Sequence, residues 1–493
     1  MGCVRPSSPG TDGPVEVYAQ FSEPGQVVCD TAQSARLLDG TPWAASVPGP
    51  AVTRTGNAVA AADLDGDGLL EILVPHRDTL EIWSPGLAWR HDVLATGGVV
   101  NALAVVDIDG DGDLDVDVGG DLIRGIVHND DGVYRYEAGT EDTMVTSLAW
   151  ADIDGDGELD RVVGAFGDLR GVDLDRDDMP FDPNRVETAT GNLALAAELR
   201  NGLTYVLAPL DADGDHSTDL YAVNDFGHQH LGNALALGPS LTLEPSAAIV
   251  ANGMGLAVGD LDWDGLPELF MTGWYNHVLL SNDGTGAFYE STLPALEALL
   301  DRNVSWGADF GDVDNDGDLD LYVAYGQLPD SEPLEGHEGE NPAEQPDVLL
   351  LNEGGIFVDR SAEWGLHAET PTRGALLVDI DGDGFLDILR GDLNGRGQLL
   401  YATCDDSAWL SVETRQGGSN RRAVGARVEV VTPEKTYTDW IRSGGRSLAS
   451  SGPPRVHVGL ADQDEVLLRV IWPDGGVSEQ QVSTRQNVVV ERD

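Results

Sequence analysis

Seven acidic segments of one form recur along the chain, Asp-x-Asp-x-Asp-Gly-x-x followed by Asp or Glu. They read DLDGDGLLE from Asp63, DIDGDGDLD from Asp107, DIDGDGELD from Asp152, DADGDHSTD from Asp211, DLDWDGLPE from Asp260, DVDNDGDLD from Asp312 and DIDGDGFLD from Asp379. Alternate positions of a tight loop aim side chains inward, and a hard cation such as calcium takes about six to eight oxygens at roughly 2.3 to 2.6 Å. Four carboxylates held so close repel one another unless a cation lies between them. Glycine at position six permits the positive φ of the sharp turn.

Positions one, three and five then offer carboxylates, position seven its backbone carbonyl, and the acid at position nine closes the shell in a bidentate grip. The expected ligands are Asp63, Asp65, Asp67, Leu69 and Glu71 in the first loop, and Asp107, Asp109, Asp111, Asp113 and Asp115 in the second. The third supplies Asp152, Asp154, Asp156, Glu158 and Asp160; the fourth Asp211, Asp213, Asp215, Ser217 and Asp219. The fifth supplies Asp260, Asp262, Asp264, Leu266 and Glu268; the sixth Asp312, Asp314, Asp316, Asp318 and Asp320; the seventh Asp379, Asp381, Asp383, Phe385 and Asp387. Up to seven calcium ions are expected. In the fourth loop His216 stands where glycine belongs, so that site is expected to be the weakest.

The elements that position these loops follow from their flanks. NALAVV and LDVDV around the second loop, or WGADFG and LYVAY around the sixth, are short, β-rich and bounded by glycine. They read as strands with the loop as the hairpin between them. An EF-hand would need an acid at position twelve and flanking helices. Successive loops begin 44, 45, 59, 49, 52 and 67 residues apart, the period of a four-stranded propeller blade. Further strand pairs follow, most clearly at 277–291 and 347–366, around Asn-Asp-Gly and Asn-Glu-Gly-Gly turns. The predicted fold is all-β: a seven-bladed β-propeller over 36–404 with a C-terminal β-rich domain over 405–493, after a leader or linker over 1–35. Blade seven lacks a fourth strand of its own, and residues 36–48 are expected to complete it and so close the ring.

Charge divides the chain at the same place. The net charge is -58 in all, -2 over 405–493 and -56 over 1–404, which implies two domains with different work and argues against nucleic acid as a partner. No run of eighteen apolar residues appears, so no transmembrane segment is expected. Cys3, Cys29 and Cys404 are too few and too scattered for a zinc ribbon. Ring closure would bring Cys29 near Cys404, where either a disulfide or two buried thiols would result. The start of the chain carries no apolar signal region.

The repeats resemble the FG-GAP and VCBS repeats of integrin α-subunit propellers and bacterial surface proteins; blade three reads Val-Val-Gly-Ala-Phe at 162–166. Residues 408–490 resemble the ASPIC/UnbV domain through SNRRAVGARVEV, IRSGG, SLASSGPPRVHVGL and VIWPDGG, in that order. Together they match the architecture of the cartilage acidic protein family and its bacterial relatives. That resemblance implies a secreted or cell-surface calcium-binding protein of adhesive character, and no catalytic residues come with it. The Gly2-Cys3 pair is similar to the end of a bacterial lipoprotein signal whose upstream part is missing, which would make Cys3 a lipid anchor; an ordinary cysteine is the alternative.

With the acidic hairpins on one face, the loops between strands two and three converge on the other. They carry His76, Arg77, Asp121, Arg124, Asp168, Arg170, Asn224, His228, Trp274, Tyr275, His277, Gln327, Asn394 and Arg396. Mixed polar and aromatic side chains of this kind suit a carbohydrate, a peptide or a surface protein as ligand, or are simply the polar ends of blades. An enzyme acting on polysaccharide through the same mouth is the alternative reading. His228 and His230 make an incomplete metal site, Arg390-Gly391-Asp392 is read as a chance tripeptide, and His457 as structural.

Overall fold

The computed structural model describes residues 17–19, 37–42, 58–76, 78–86, 88–167, 181–226, 232–274, 277–292, 295, 304–326, 345–366, 369–393 and 397–492. Each acidic loop joins the first two strands of a four-stranded antiparallel sheet. The first strands are Ala60–Ala62, Val100–Val106, Val145–Ala151, Leu203–Leu210, Gly253–Gly259, Ser305–Gly311 and Thr372–Val378. They pack side by side around an axis, which explains their composition. Ala60, Ala62, Ala102, Ala104, Ala149, Ala208, Ala257, Ala308 and Ala375 are all buried there, because strands crowded at a centre leave room only for small side chains.

The seven loop-bearing sheets build an all-β propeller fold, closed in two ways. Val59, Ala61, Ile72 and Val74 of blade one share a core with Leu376, Val378, Ile380 and Leu389 of blade seven. Leu37–Asp39 pairs antiparallel with Gln398–Ala402 and supplies the outer strand that blade seven lacks. The rest of the expected hairpin, from residue 43, lies outside the described residues. Cys404 is disulfide-bonded and sits in the core shared by blades six and seven; Cys29 and Cys3 lie outside the described residues.

The C-terminal domain is a sandwich of two four-stranded sheets. Its strands alternate as a half-buried strand should: Glu465–Ile471 buries Val466, Leu468 and Val470 and turns the residues between them outward. Residues 1–35, read as a leader, are corrected here in part. Val17–Ala19 pairs antiparallel with Gln486–Glu491 and so covers an edge that would otherwise present unpaired N–H and C=O groups.

The two domains are interlocked. The segment from Ser443 to Ser451 leaves the sandwich and enters the centre of the propeller. Ser443–Gly444 adds to blade three beside Ala149 and Trp150. Gly445 N–H donates to Leu148 O at 3.0 Å, Ser447 exchanges two bonds with Leu256, Ala449 O accepts from Leu103, and Ser451 bonds Val59 and Ala61. Arg446 holds both oxygens of buried Asp309 at 2.7 Å. The innermost edges of blades one, two, three and five are thereby paired, in a place where water would otherwise have to satisfy them. Gly444, Gly445, Ser447 and Ala449 all have positive φ, which coils the segment tightly enough to reach several blades.

Leu448 is 2% exposed and lies in the main propeller core. Leu448→Ala should lower the unfolding free energy of the whole chain by about 3 kcal/mol. Calorimetry should show one endotherm moved to lower temperature; two endotherms with only one moved would contradict the shared core.

Candidate metal centres

The seven loops share one backbone pattern. The first carboxylate accepts the N–H of the glycine at position six, at 2.7–3.1 Å in loops one, two, three, five, six and seven. The carboxylate at position five accepts the N–H of position seven at 2.7–2.9 Å in all seven. The acid at position nine accepts the N–H of position two at 2.6–3.0 Å in all seven. These bonds turn the carboxylates into one space. Ligand oxygens of Asp63, Asp65 and Glu71 lie within 4.8 Å of one another, as do those of Asp107, Asp109 and Asp111, of Asp152, Asp154 and Asp160, and of Asp211, Asp213 and Asp219.

Three features go beyond the sequence reading. In five loops the second oxygen of the position-nine acid accepts an N–H from or just past the third strand, as Asp115 does from Asn129 and Asp387 from Ala402. That acid therefore ties the loop to its blade with both oxygens. Position four is left-handed as well as position six: Trp263 has φ 60° and Asn315 φ 56°. Such residues strain the backbone, and both are held from outside, Trp263 by Lys435 4.0 Å from its ring and Asn315 by the Ala461 N–H on its carbonyl. Finally, Asn282, read as a turn residue, donates to Ala212 O in the loop of the preceding blade, and Asn129 donates likewise to Leu64 O.

The donors fit a hard cation. Asp63 Oδ1, Asp65 Oδ1 and Asp260 Oδ1 are buried with no hydrogen-bond partner, and a carboxylate oxygen removed from water is costly without a counter-charge. Burial first, and then the neighbouring carboxylates, push Glu71, Asp219, Asp260 and Asp379 up to about 7 and Glu268 and Asp383 up to about 8. The fourth loop differs as expected. His216 takes φ 67°, and its ring Nδ1 stands 3.8 Å from Asp211 Oδ2, the oxygen that holds the glycine N–H elsewhere.

The C-terminal domain lies on this face. Arg422 donates to Gly112 O at 2.9 Å, Lys435 to Gly317 O at 2.5 Å and Asp318 Oδ1 at 2.7 Å, and His457 Nε2 to Gly384 O at 2.9 Å. The sequence reading missed these residues as partners of the loops. The available signal was the change of charge at residue 405, since a nearly neutral domain bearing Arg and Lys complements an acidic face.

On the opposite face the described mouth residues are largely engaged within the protein. His76 faces Glu81 at 3.4 Å, Arg124 pairs with Glu187 at 3.0 Å, and Asn224 is buried against Thr204. His277 bonds Tyr325 at 2.9 Å, and burial holds its imidazole down near 4. Asp121 and Trp274 lie at the blade ends through backbone bridges to Met144 and Val304. Arg77, Asp168, Arg170, His228, His230, Tyr275, Gln327, Asn394 and Arg396 lie outside the described residues. Arg390 is 1% exposed and paired with Asp347 at 2.5 Å, so its tripeptide presents no guanidinium to solvent.

Comparison with known proteins places this architecture. Residues 260–323, which span the fifth and sixth loops, match the FG-GAP-like repeat, and residues 416–493 match the ASPIC and UnbV family. The chain thus carries a stretch similar to the FG-GAP-like repeat within its blades and a stretch similar to the ASPIC and UnbV family in its C-terminal domain. It is similar to cartilage acidic protein 1 of Mus musculus and of Homo sapiens, 25% identical to each over 292 residues. The matched region covers 56% of this chain and 43% and 42% of those proteins. Among solved structures, BBS1N in complex with ARL6DN superposes with a TM-score of 0.48 at 12% identity, over 76% of this chain and 99% of that one. An Agrocybe aegerita lectin that recognises non-reducing terminal N-acetylglucosamine gives 0.41 at 16% identity, over 71% and 94%. Among the described residues no helix is long and apolar enough to cross a membrane.

The raised acids carry a pH dependence. Without a cation they bind protons more tightly in the folded protein than in the unfolded chain, whose carboxyls titrate near about 4. Stability from this source is full below that range and is lost as pH rises through 7 to 8. In EDTA the melting temperature should be higher at pH 5.5 than at pH 8.5. An excess of the bound cation should flatten or reverse the trend.

Proposed function

We propose that the protein is an extracellular or cell-surface binding module whose propeller is held together by calcium in up to seven loops. The observation that carries the reading is the seven-fold recurrence of one acidic loop, its carboxylates converging in loops one to four, with buried oxygens left unpartnered at Asp63, Asp65 and Asp260. Apart from His128 beside Asp109 and Asp115 in the second loop, the clustered donors are oxygens, which suits calcium over a softer metal. Extracellular calcium modules work at about 10⁻⁴ to 10⁻³ M, and the disulfide at Cys404 fits an oxidising compartment. The FG-GAP-like repeat supports a binding or adhesive role, with a carbohydrate, peptide or matrix protein as ligand.

Calcium here is structural. If free calcium stands about tenfold above each dissociation constant, each loop adds roughly 1.4 kcal/mol and seven add about 10 kcal/mol. EDTA should therefore lower the melting temperature strongly and calcium should restore it; a melting curve indifferent to both would refute the reading. The fourth loop should fill last, since a non-glycine residue at left-handed φ costs about 1–2 kcal/mol. His216→Gly should raise the affinity of that one site, read by calorimetric titration as an added tight equivalent. A glycan and peptide array probed with and without calcium tests the ligand class, and binding should be lost in EDTA.

A further inference from the structure

Resting on the calcium reading above, we infer that the C-terminal domain is a calcium-coupled cap: filling of the acidic loops and docking of this domain each require the same loop conformation and so strengthen each other. The observation is a repeated contact. Arg422, Lys435 and His457 come from different strands and turns of the domain, yet each donates to the same atom of a different loop, the carbonyl oxygen of the position-six glycine. These are Gly112, Gly317 and Gly384. In the fifth loop a Cβ on Gly265 would meet Arg427 Nη2 at 2.4 Å. The domain therefore reads the same carbonyl in three loops and packs closely on the same glycine in a fourth.

That glycine joins the two events. Its N–H holds the first carboxylate, at 3.0 Å for Asp107, 2.7 Å for Asp312 and 2.9 Å for Asp379. Its C=O holds the cap. The expected ion ligands are the carboxylates of positions one, three, five and nine and the carbonyl of position seven. Ion and cap thus use different oxygens of one backbone shape, φ 108°, 93° and 89° at the three glycines, and do not compete for them. A loop sprung open by its own repelling carboxylates presents that carbonyl elsewhere and releases the donor. The cap cannot lift without withdrawing Ser443–Ser451 from the propeller centre, so changes at several loops are collected into one event.

The sign of the electrostatics makes this testable. Arg422 and Lys435 are positive groups beside cation sites, and by Coulomb's law alone their removal should tighten calcium binding. Coupling requires the opposite. Calorimetric titration of the full-length Arg422→Gln, Lys435→Met double variant should show calcium affinity weakened by about fivefold or more; unchanged or tighter binding overturns the coupling. A second measurement needs no variant. In the wild-type chain, amide exchange over 443–451 should accelerate about tenfold or more when calcium is replaced by EDTA at a temperature where the propeller strands stay protected. Equal protection in both conditions, with calcium binding intact by calorimetry, overturns the coupling alone. A wild-type chain that binds no calcium overturns this inference and the reading on which it rests.

Discussion

Like charge forced into close quarters is the constraint around which this molecule is arranged. At an effective dielectric of about 20, two carboxylates 4.8 Å apart repel by roughly 3.5 kcal/mol, and loops one to four each hold three that lie within that distance of one another. Backbone N–H groups answer part of that cost, which is why nearly every acid in a loop accepts at least one. In five loops the position-nine acid does so with both oxygens and thereby also binds loop to blade. Orphaned oxygens at Asp63, Asp65 and Asp260 show where the backbone alone falls short.

A second constraint sits on the axis. Seven innermost strands turn their free edges toward one another, and backbone groups there need partners as strictly as any in a core. Ser443–Ser451 supplies them for blades one, two, three and five, with Arg446 neutralising Asp309 on the way. The segment belongs by sequence to the C-terminal domain and by packing to the propeller. The ends of the chain are likewise exchanged: Val17–Ala19 completes the sandwich, Leu37–Asp39 completes blade seven, and the disulfide at Cys404 lies where the last blade leaves for the second domain.

Both constraints meet on the loop face. The domain with net charge -2 rests on the one with -56, and three of its contacts fall on glycine carbonyls of the acidic loops. A cap that bound the ligating carboxylates directly would displace a cation; one that binds the neighbouring carbonyl leaves the site free. The glycines at 265, 317 and 384 therefore serve twice, once for positive φ and once for the close approach of a side chain that a Cβ would block.

Sequence alone determined the blades and their loops, because both are local. An Asx-rich turn and its two flanking strands lie within about twenty residues, and the alternation of Ala, Val and Leu with a shared spacing repeats seven times. It also indicated the missing strand of blade seven, since a count of strands per blade leaves one vacancy. The left-handed cost at His216 was legible from residue type. What only the tertiary structure decided is everything that joins distant parts: the strand at Val17–Ala19, the segment threaded through the axis, the asparagines that reach the preceding blade, and Arg422, Lys435 and His457 on the glycine carbonyls. None has a periodic signature. SGGRSLASS reads as a polar turn until seven converging edges are present to receive it, because a backbone hydrogen bond across some 200 to 400 residues depends on where both partners stand and not on what they are.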